Sequence, residues 1–552
     1  MYVDLGVKDA GTYALALENL IISFNDQAYA IDANEQVDVT FHVPGSIDPD
    51  DANVEVIDIV PQDNYVTLDK DNTAPVVVDI YLENDHNLPV KGIKIGGVAY
   101  SESQITVISS THIQVTAEMS NNSSNPSNNS LYFSNISFER NGEIIVSKLS
   151  SHVNGFVYRV YDFDYNGTVS NEFIHISTPE QLLAISENTT KKVYILDNDI
   201  DMSAYTWEPI GTYDDPFIGA FIGQGFTISN LYIDMTLPIL PQAYHYIGLF
   251  GYTKAFISDL NIDNMQITLH SDVENYIHVG TVAGYSTSDF VNVHVIDSTI
   301  TVDGVIKGAI GGLVGTHEGD IIRTSADTDI TNVTFTSASS TMRLYVGGLV
   351  GDKHAEDIRR SYATGDINIA ISSPQTIFAG GLAGVASATN AIISNSYATG
   401  DLNITSDYYS RMGGLVGNSY ETTIDNTYAS GDVHASSGKL GGLIGQSDGF
   451  VNSSFATGTV SCDSGTVGKV FGIGNTYRFD KMYAYDAQEV FNGDTPTDGS
   501  DHYYIYLGVA SKVQFNDIDY YTDFLGWSMH FYDFGNLDIE NGILPTSIML
   551  LA

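Results

Sequence analysis

The sequence GGLVGDKHAEDIRRSYATGDI, residues 347–367, holds the two phrases that decide the fold. The first phrase, Gly-Gly-Leu-Val-Gly or a close variant, begins at residues 280, 311, 347, 380, 413 and 441, so that successive copies lie 28 to 36 residues apart. The second phrase, an aromatic residue followed by Ala-Thr-Gly-Asp or a close variant, returns in the later copies. A repeat period of this length is typical of solenoids, propellers and repeat arrays.

The pattern inside each repeat favours a β-solenoid. Alternating runs such as Ile367, Ile369 and Ile371 indicate strands, and the repeats contain no stretch of ten or more residues with helical periodicity. A propeller blade would need tight hairpins, yet the Asn-Gly and Asp-Gly turns that favour them are scarce here. In a β-solenoid each repeat forms one coil whose strands stack in parallel on the next coil, with glycines at the corners.

Two rows of equivalent residues should therefore stack along the helix. We expect the aromatic rings of the second phrase to lie one above another, with the small residues behind them forming a parallel row. The two rows are Tyr362, Tyr397, Tyr428 and Phe455, and Ala363, Ala398, Ala429 and Ala456.

These phrases resemble the GLUG repeat of bacterial surface proteins. The segment upstream is similar to the first coil common in such proteins, with Asp-Ile-Asp at 199–201, Trp207, Pro-Ile-Gly at 209–211 and FIGAFIGQGFTISNL at 217–231. The resemblance covers residues 173 to 552 and implies a β-helix on an extracellular, bacterial cell-surface protein. Repeats of this family occur in adhesins and as non-catalytic parts of surface proteases and other exoproteins, so the resemblance implies an architecture rather than an activity.

The whole chain is predicted to be all-β, with immunoglobulin-like sandwich modules followed by a parallel β-helix (β-solenoid) with terminal caps. Residues 12–43 line up with residues 130–160, which indicates that the chain begins inside one sandwich and is a piece of a longer protein. A capping box at residues 178–181, Thr-Pro-Glu-Gln, predicts a short helix at the start of the β-helix. The predicted segments are 1–43 for a truncated sandwich, 44–164 for a sandwich, 165–188 for the junction and capping helix, 189–476 for the β-helix and 477–552 for the C-terminal coils and cap.

Composition limits the possible partners. The 552 residues include 68 acidic and 22 basic side chains, which gives a formal net charge of −46. Nucleic acid is excluded as a partner because phosphate neutralisation needs a basic surface, and the acidity favours divalent cations or cationic partners. The single cysteine, Cys462, is expected to be a small core residue. The sequence shows no secretory signal and no run of eighteen apolar residues that could span a membrane.

One stretch at the junction has the opening of a calcium loop. Asp162, Asp164, Asn166 and Gly167 form Asp-x-Asp-x-Asn-Gly, and oxygen ligands at this spacing suit Ca²⁺. The pattern then departs from the EF-hand, because Glu172 stands one position before the twelfth, where the bidentate glutamate belongs. Two interpretations stay open, a calcium site with ligands Asp162, Asp164, Asn166 and Glu172, and an acidic turn stabilised by Asx capping.

A catalytic interpretation has less support from the sequence. Paired carboxylates could cleave a glycoside, but Asp199 and Asp201 belong to the opening coil, and the pair at 214–215 precedes a proline in a turn-like stretch. The cationic cluster Lys353, His354, Arg359 and Arg360 could hold a uronate, although such residues more commonly form a solvated loop. The recurring Asp366, Asp401 and Asp432 could bind calcium or serve as turn residues at a corner.

The sequence therefore predicts a non-enzymatic adhesin or structural stalk that contacts extracellular glycans or proteins through exposed tyrosines and loop tips. These lie on the part of each repeat whose length varies, between the second phrase and the next glycine phrase. No catalytic residue or cofactor other than Ca²⁺ is expected. Three alternatives stay open: an exported polysaccharide lyase or hydrolase on the same helix, a phage-type spike, and the non-catalytic part of a larger exoenzyme. The geometric criterion is whether two carboxylates, or a carboxylate and a base, converge in a cleft.

Overall fold

A computed structural model describes residues 21–24, 27–30, 54–61, 65–66, 73–84, 87–95, 98–120, 129–131, 133–148, 156–160, 172–185, 192–237, 244–335, 343–371, 376–388, 391–406, 410–474, 479–493, 495–497, 508–525, 527, 532–533, 537–539 and 543–547. The chain divides into two compact units. The first comprises Met1–Gln62, Pro75–Glu118 and Ser130–Val157, and the second comprises Asp63–Ala74, Met119–Asn129 and Tyr158–Ala552. The all-β fold class is confirmed, whereas the segment boundaries at 44, 165, 189 and 477 stay predictions.

Two four-stranded antiparallel sheets form the first unit. Burial alternates along their strands, as Val76, Val78, Ile80 and Leu82 show, and this alternation is typical of the inner faces of a β-sandwich. The strands are Glu55–Pro61, Thr73–Glu83, His112–Ser120 and Ile105–Ser109 in one sheet, and Glu143–Lys148, Phe133–Arg140, Val90–Ile95 and Val98–Ser101 in the other. The N-terminal part of the chain also contains the 3-10 helix Glu102–Gln104 and the strands Ile21–Phe24, Gln27–Ala30, Tyr65–Val66, Asn129–Leu131 and Phe156–Val160.

The second unit is the predicted parallel β-helix. Equivalent strands of successive coils pair in parallel, so that Ile367 lies beside Leu402, and Leu402 beside Val433. Each inward position places one buried apolar side chain on another, and together they form one continuous core. Eight strands follow the glycine pairs or their counterparts, at Phe250–Thr253, Ala283–Ser286, Val314–His317, Val350–Lys353, Ala383–Ser387, Val416–Tyr420, Ile444–Ser447 and Phe471–Gly474.

Thirty further described strands of this unit form one long sheet. Those before the glycine corners are Tyr244–Ile247, Gln266–Val279, Phe290–Gly311, Arg343–Gly347, Thr376–Gly380, Ser410–Gly413, Val433–Gly441 and Val460–Gly468. Its other main strands are Glu172–Ile176, Lys192–Leu196, Ile200–Asp201, Gly219–Ile222, Thr227–Ser229, Tyr232–Thr236, Phe256–Asp263, Ile321–Ile322, Ser325–Phe335, Ile358–Arg359, Tyr362–Ala363, Ile367–Ile371, Ile392–Ser394, Tyr397–Ala398, Leu402–Ser406, Thr423–Asp425, Tyr428–Ala429, Val451–Ala456, Phe479–Tyr485, Val490–Asn492, Thr495–Pro496 and Gly508–Ala510.

The two repeated phrases recur together because their small residues pack against each other. A Cβ added to Gly381 would lie 2.1 Å from the carbonyl oxygen of Gly414 in the next coil and 2.8 Å from the Cβ of Ala398. The equivalent pairs in neighbouring coils, Gly348 with Ala363 and Gly414 with Ala429, are equally close. The predicted alanine row is confirmed by the parallel register of these residues.

The recurring aspartates form a ladder of hydrogen bonds. The backbone N–H of Asp401 donates to Oδ1 of Asp366 at 2.8 Å, and that of Asp432 donates to Oδ1 of Asp401 at 2.8 Å. The ladder continues at both ends, from Asp329 to the N–H of Thr459. Each carboxylate satisfies a backbone donor at the corner of the next coil, which is the structural role weighed for these residues in the sequence.

The start of the β-helix contains the predicted helix, Pro179–Leu183. Thr178 caps it, because Oγ1 of Thr178 accepts from the backbone N–H of Gln181, and the Gln181 side chain accepts from the backbone N–H of Thr178. Leu182 and Ile185 are buried in the solenoid core, whereas Leu183 is exposed. One apolar side of the helix therefore covers the core at this end.

The predicted row of aromatic rings is confirmed and is covered from the side. Tyr362, Tyr397, Tyr428 and Phe455 stack with ring centroids 4.8, 4.9 and 5.2 Å apart and nearly parallel planes. We call this row the covered ladder. The C-terminal segment contains the helix Lys512–Phe515, the π-helix Tyr520–Leu525 and the strands Tyr532–Asp533 and Thr546–Ser547. Trp527 from this segment stacks on Phe455 and donates from Nε1 to the carbonyl oxygen of Ser453 at 2.8 Å, so the C-terminal segment covers this end of the ladder.

Candidate functional site

A groove runs along the solenoid at the corner made by the repeated glycines, and we call it the corner groove. Its walls are two rows of outward-facing residues, each row in register from coil to coil. The first row is Tyr246, His278, Ala309, Tyr345, Phe378, Arg411 and Lys439. The same wall includes Tyr244, Tyr276, Lys307 and Arg343, which lie two positions earlier on the same strands. The second row is Tyr252, Tyr285, Thr316, Asp352, Val385, Asn418 and Gln446.

The last glycine of the first phrase forms the floor of the groove. A Cβ on Gly351 would lie 2.8 Å from the backbone nitrogen of Ile310, and one on Gly284 would lie 2.8 Å from the backbone of Tyr246. Because this position has no side chain, the strands on either side of the corner approach closely on the outer surface. Side chains that would diverge from a flat sheet therefore converge here.

Hydrogen bonds between the two walls show this convergence. Nδ1 of His278 lies 2.8 Å from Oγ1 of Thr316. Four coils beyond His278, Nη1 of Arg411 donates to Oδ1 of Asn418 at 3.1 Å. In the next coil, Nζ of Lys439 donates to Oε1 of Gln446 at 3.1 Å. The two rows are thus in contact at both ends of this stretch of coils.

The N-terminal half of the groove is aromatic. Tyr244 stacks on Tyr276 with ring centroids 4.7 Å apart, and Tyr252 stacks on Tyr285 at 4.9 Å. Tyr246 meets Tyr252 edge to face at 5.3 Å. The Tyr244 side chain is 58% exposed, and it lines cavities of about 320 and 800 Å³. A stacked group of tyrosines that leaves Tyr244 exposed is typical of binding surfaces, where tyrosine combines a large apolar area with a polar end.

Basic side chains follow the tyrosines along the same wall. Nζ of Lys307 lies 3.5 Å from the ring centroid of Tyr276, and the Arg411 guanidinium lies 5.1 Å from that of Phe378. The 320 Å³ cavity is lined by Tyr244, Tyr276, His278, Lys307, Arg343 and Asp352. A chain with three times as many acidic as basic residues thus places several cations along one groove.

Burial sets the charge of the titratable groups in the groove. It lowers the pKa of His278 to about 4, and the nearby His354 contributes to the same shift, so that His278 is neutral at pH 7. Burial raises the pKa of Tyr246 to about 12. Asp352 pairs with His354 at 2.9 Å, and this hydrogen bond raises the pKa of His354. A hydrogen bond to Tyr345 raises the pKa of Arg343.

The predicted calcium ligands Asp162, Asp164 and Asn166 lie outside the described residues. Glu172 is the first residue of the strand Glu172–Ile176. Within the described part of the chain, no group of three or more histidine, cysteine, aspartate or glutamate residues is placed to hold a metal ion. The calcium site stays a prediction.

The carboxylate pairs named in the sequence hold turns and coil contacts. Oδ1 of Asp199 accepts from the backbone N–H of Thr227 at 2.8 Å. Asp201 accepts from the backbone N–H of Ser203 and from Nδ2 of Asn230, and these hydrogen bonds lower the pKa of Asp201. The backbone of Asp215 forms a turn with Thr212, while Asp214 lines the 800 Å³ cavity.

The cationic cluster predicted around residues 353–360 is solvated only in part, because His354 is exposed and Lys353 is buried. Lys353 is 2% exposed, and Nζ donates to the carbonyl oxygen of Gly319 at 2.7 Å. Burial lowers the pKa of Lys353 to about 8. Arg359 is ion-paired with Asp357, and Arg360 occupies a corner with φ of 51°. The expectation of solvation was wrong for Lys353 because this position points into the coil, where a backbone oxygen receives its ammonium group.

Comparison with known proteins gives limited similarity. No family model matches the chain. The chain is similar to halomucin of Haloquadratum walsbyi, with 34% identity over 169 residues, which is 28% of this chain and 2% of the length of halomucin. This chain therefore spans a small fraction of the relative it matches.

Two solved structures also show similarity. One, from Bacteroides ovatus, is named for an immunoglobulin A1 protease; it matches with a TM-score of 0.35 and 17% identity over 69% of this chain and 93% of its own. The other, named IgA1 protease, matches with a TM-score of 0.33 and 15% identity over 85% of this chain and 28% of its own. At these TM-scores neither similarity bears on the activity of this chain. The described residues contain no helix that is long and apolar enough to cross a membrane.

Proposed function

We propose that this chain is part of an exported cell-surface protein that binds an extracellular glycan or protein ligand along the corner groove. The observation that carries the proposal is the open tyrosine group, in which Tyr244 is 58% exposed beside stacked Tyr276. Tyrosine and arginine are enriched among the residues that contribute most to binding in protein interfaces, and this groove presents both. The resemblance of the repeats to those of bacterial surface proteins supports the proposed location. The proposed function is adhesion or display rather than chemistry.

A lyase or hydrolase of acidic polysaccharide is the second candidate. The 320 Å³ cavity brings Lys307, Arg343 and His278 together with Asp352, and such groups can hold a carboxylate and move a proton. The hydrogen bond of Asp352 to His354 favours a structural role for this carboxylate. Cleavage of a bound polysaccharide would support this candidate over adhesion.

A binding screen with an activity readout tests both candidates. The purified chain is applied to a glycan array and to a panel of extracellular proteins, beside the variant Tyr244→Ala/Tyr276→Ala and the control Tyr232→Ala, a 40% exposed tyrosine outside the two groove walls. We expect binding that the groove variant loses and the control keeps. Bound polysaccharides are then assayed for new reducing ends and for unsaturated uronate. Binding that both variants keep, or binding of nothing on either panel, would contradict the proposal.

A further inference from the structure

We propose that the Lys307–Arg343 cavity recognises an anionic sugar unit, one that carries a carboxylate or a sulfate, within a polymer lying along the corner groove. This inference rests on the proposed function and names the ligand class of the same groove. The cavity volume of about 320 Å³ is at the small end of ligand sites, which suits one sugar unit of a longer chain.

The position of Lys307 is the first support. Its side chain is 7% exposed, although lysine is rarely buried, and its ammonium lies over the Tyr276 ring in the wall of the cavity. A cation in this environment attracts an anion more strongly than a solvated lysine does, because little water screens the pair.

Arg343 supplies a second positive charge beside it. Gly308 pairs with Leu344 in parallel register, so the preceding residues Lys307 and Arg343 are neighbours on adjacent strands. Like charges at neighbouring positions of a sheet repel each other, and an anion between them converts this repulsion into attraction. Arg343 is exposed and can present its planar guanidinium to a carboxylate or sulfate in two hydrogen bonds.

The surroundings favour an anion locally despite the acidic chain. Asp352 is the carboxylate among the residues lining the cavity, and its Oδ2 is engaged by His354 at 2.9 Å. Further along the same wall, Arg411 and Lys439 occupy equivalent positions in adjacent coils. Successive cations along a groove fit a polymer whose negative charges repeat. At physiological ionic strength, acidic residues more than about 8 Å from a bound anion are largely screened from it, so the nearby groove cations determine the electrostatic part of binding.

Titration calorimetry in 0.15 M NaCl at pH 7.5 tests the inference with three probes: polygalacturonate for carboxylate, dextran sulfate for sulfate and dextran as the neutral polymer. The test variants are Lys307→Met and Arg343→Gln. The controls, Lys94→Met and Arg140→Gln, make the same charge changes in the first unit. Melting temperatures verify that each variant is folded. If Lys307→Met is destabilised, Arg343→Gln still tests the inference, because Arg343 is exposed and its substitution should not affect folding.

We expect at least one polyanion to bind ten-fold or more tightly than dextran, and each groove variant to weaken that binding ten-fold or more while the controls leave it unchanged. The polyanion that binds identifies carboxylate or sulfate as the recognised group. Equal affinity for dextran, polyanion binding unaffected by the groove variants, or no polyanion binding would overturn the inference. Tyr244-dependent binding of a neutral glycan or a protein would then leave the proposed function standing.

Discussion

The solenoid carries two stacks of aromatic rings that differ in what covers them. Rings in the covered ladder lie 4.8 to 5.2 Å apart, and the Tyr244–Tyr276 and Tyr252–Tyr285 pairs of the corner groove lie 4.7 and 4.9 Å apart. Tyr428 is 1% exposed beside the C-terminal segment, whereas Tyr244 is 58% exposed. Stacking at this distance follows from the spacing of parallel strands, so it does not reveal a role by itself. Exposure to solvent therefore distinguishes the two stacks: the covered ladder is structural, and the open tyrosines of the corner groove are a candidate binding surface.

The largest expected effect comes from the glycine corner. In Gly381→Ala the new Cβ would lie 2.1 Å from the carbonyl oxygen of Gly414 and 2.8 Å from the Cβ of Ala398, and backbone cannot rotate away as a side chain can. We expect the free energy of unfolding of the solenoid to fall by about 3 kcal/mol or more. Differential scanning calorimetry of Gly381→Ala and the wild type measures this loss of stability.

The matched control is Gly225→Asn. Gly225 has φ of 77° and an open surrounding, and asparagine accepts this conformation better than other side chains. If Gly381→Ala had the same melting temperature as Gly225→Asn and the wild type, this result would contradict the packing of the two phrases against each other.

Uncovering the covered ladder should have the next largest effect. Trp527→Ala removes a 2% exposed indole from Phe455 and leaves the carbonyl oxygen of Ser453 without its donor, so we expect a loss of about 3–5 kcal/mol. Urea denaturation followed by circular dichroism measures it. Val513→Ala, at a 77% exposed position of the same segment, should change stability by less than about 0.5 kcal/mol. Equal effects of the two substitutions would show that the segment does not stabilise the ladder.

Mild acid should destabilise the solenoid by a smaller amount for each buried histidine. Burial lowers the pKa of His278 and His294 to about 4 and holds that of His317 well below its usual value, while an unfolded histidine titrates near 6.5. Below pH 6.5 the unfolded chain therefore binds protons that the folded chain does not, and stability falls with pH by roughly 2 kcal/mol per histidine between pH 7 and 5. Asp320, whose pKa is raised by burial to about 6, opposes this in part.

Melting temperatures at pH 7.5, 6 and 5 test this prediction. Wild type should melt progressively lower, and His294→Gln should show a shallower slope because one depressed pKa is gone. A melting temperature that is constant or rises toward pH 5 would refute the assignment of neutral buried histidines.

The covered ladder could be predicted from sequence, and the corner groove could not. Tyr362, Tyr397 and Tyr428 are one residue type at one repeat position, and a parallel solenoid stacks such positions. The groove wall changes residue type at every coil, as Tyr246, His278 and Ala309 do, because its side chains point away from the solenoid core, which therefore does not constrain them. Aligning the residues two places before each glycine pair would have shown the change from aromatic to basic.

Two further features depend on contacts distant in sequence. The interaction of Trp527 with residue 453 spans 74 positions, and nothing in the repeat indicates which side of the coils the C-terminal segment covers. The burial of Lys353 depends on the backbone oxygen of Gly319 in the preceding coil. Repeat periodicity fixes which residues stack, whereas it does not fix what lies against the stack.

The most direct test of the distinction between the two stacks measures melting temperature and glycan-array binding on the same two proteins, Tyr244→Ala and Trp527→Phe. We predict that Tyr244→Ala keeps its stability to within about 0.5 kcal/mol and loses array binding, whereas Trp527→Phe melts earlier and binds as the wild type does below its melting temperature. Wild-type binding by Tyr244→Ala, or loss of binding by folded Trp527→Phe, would contradict the assignment of the open tyrosines to binding and of the covered ladder to stability.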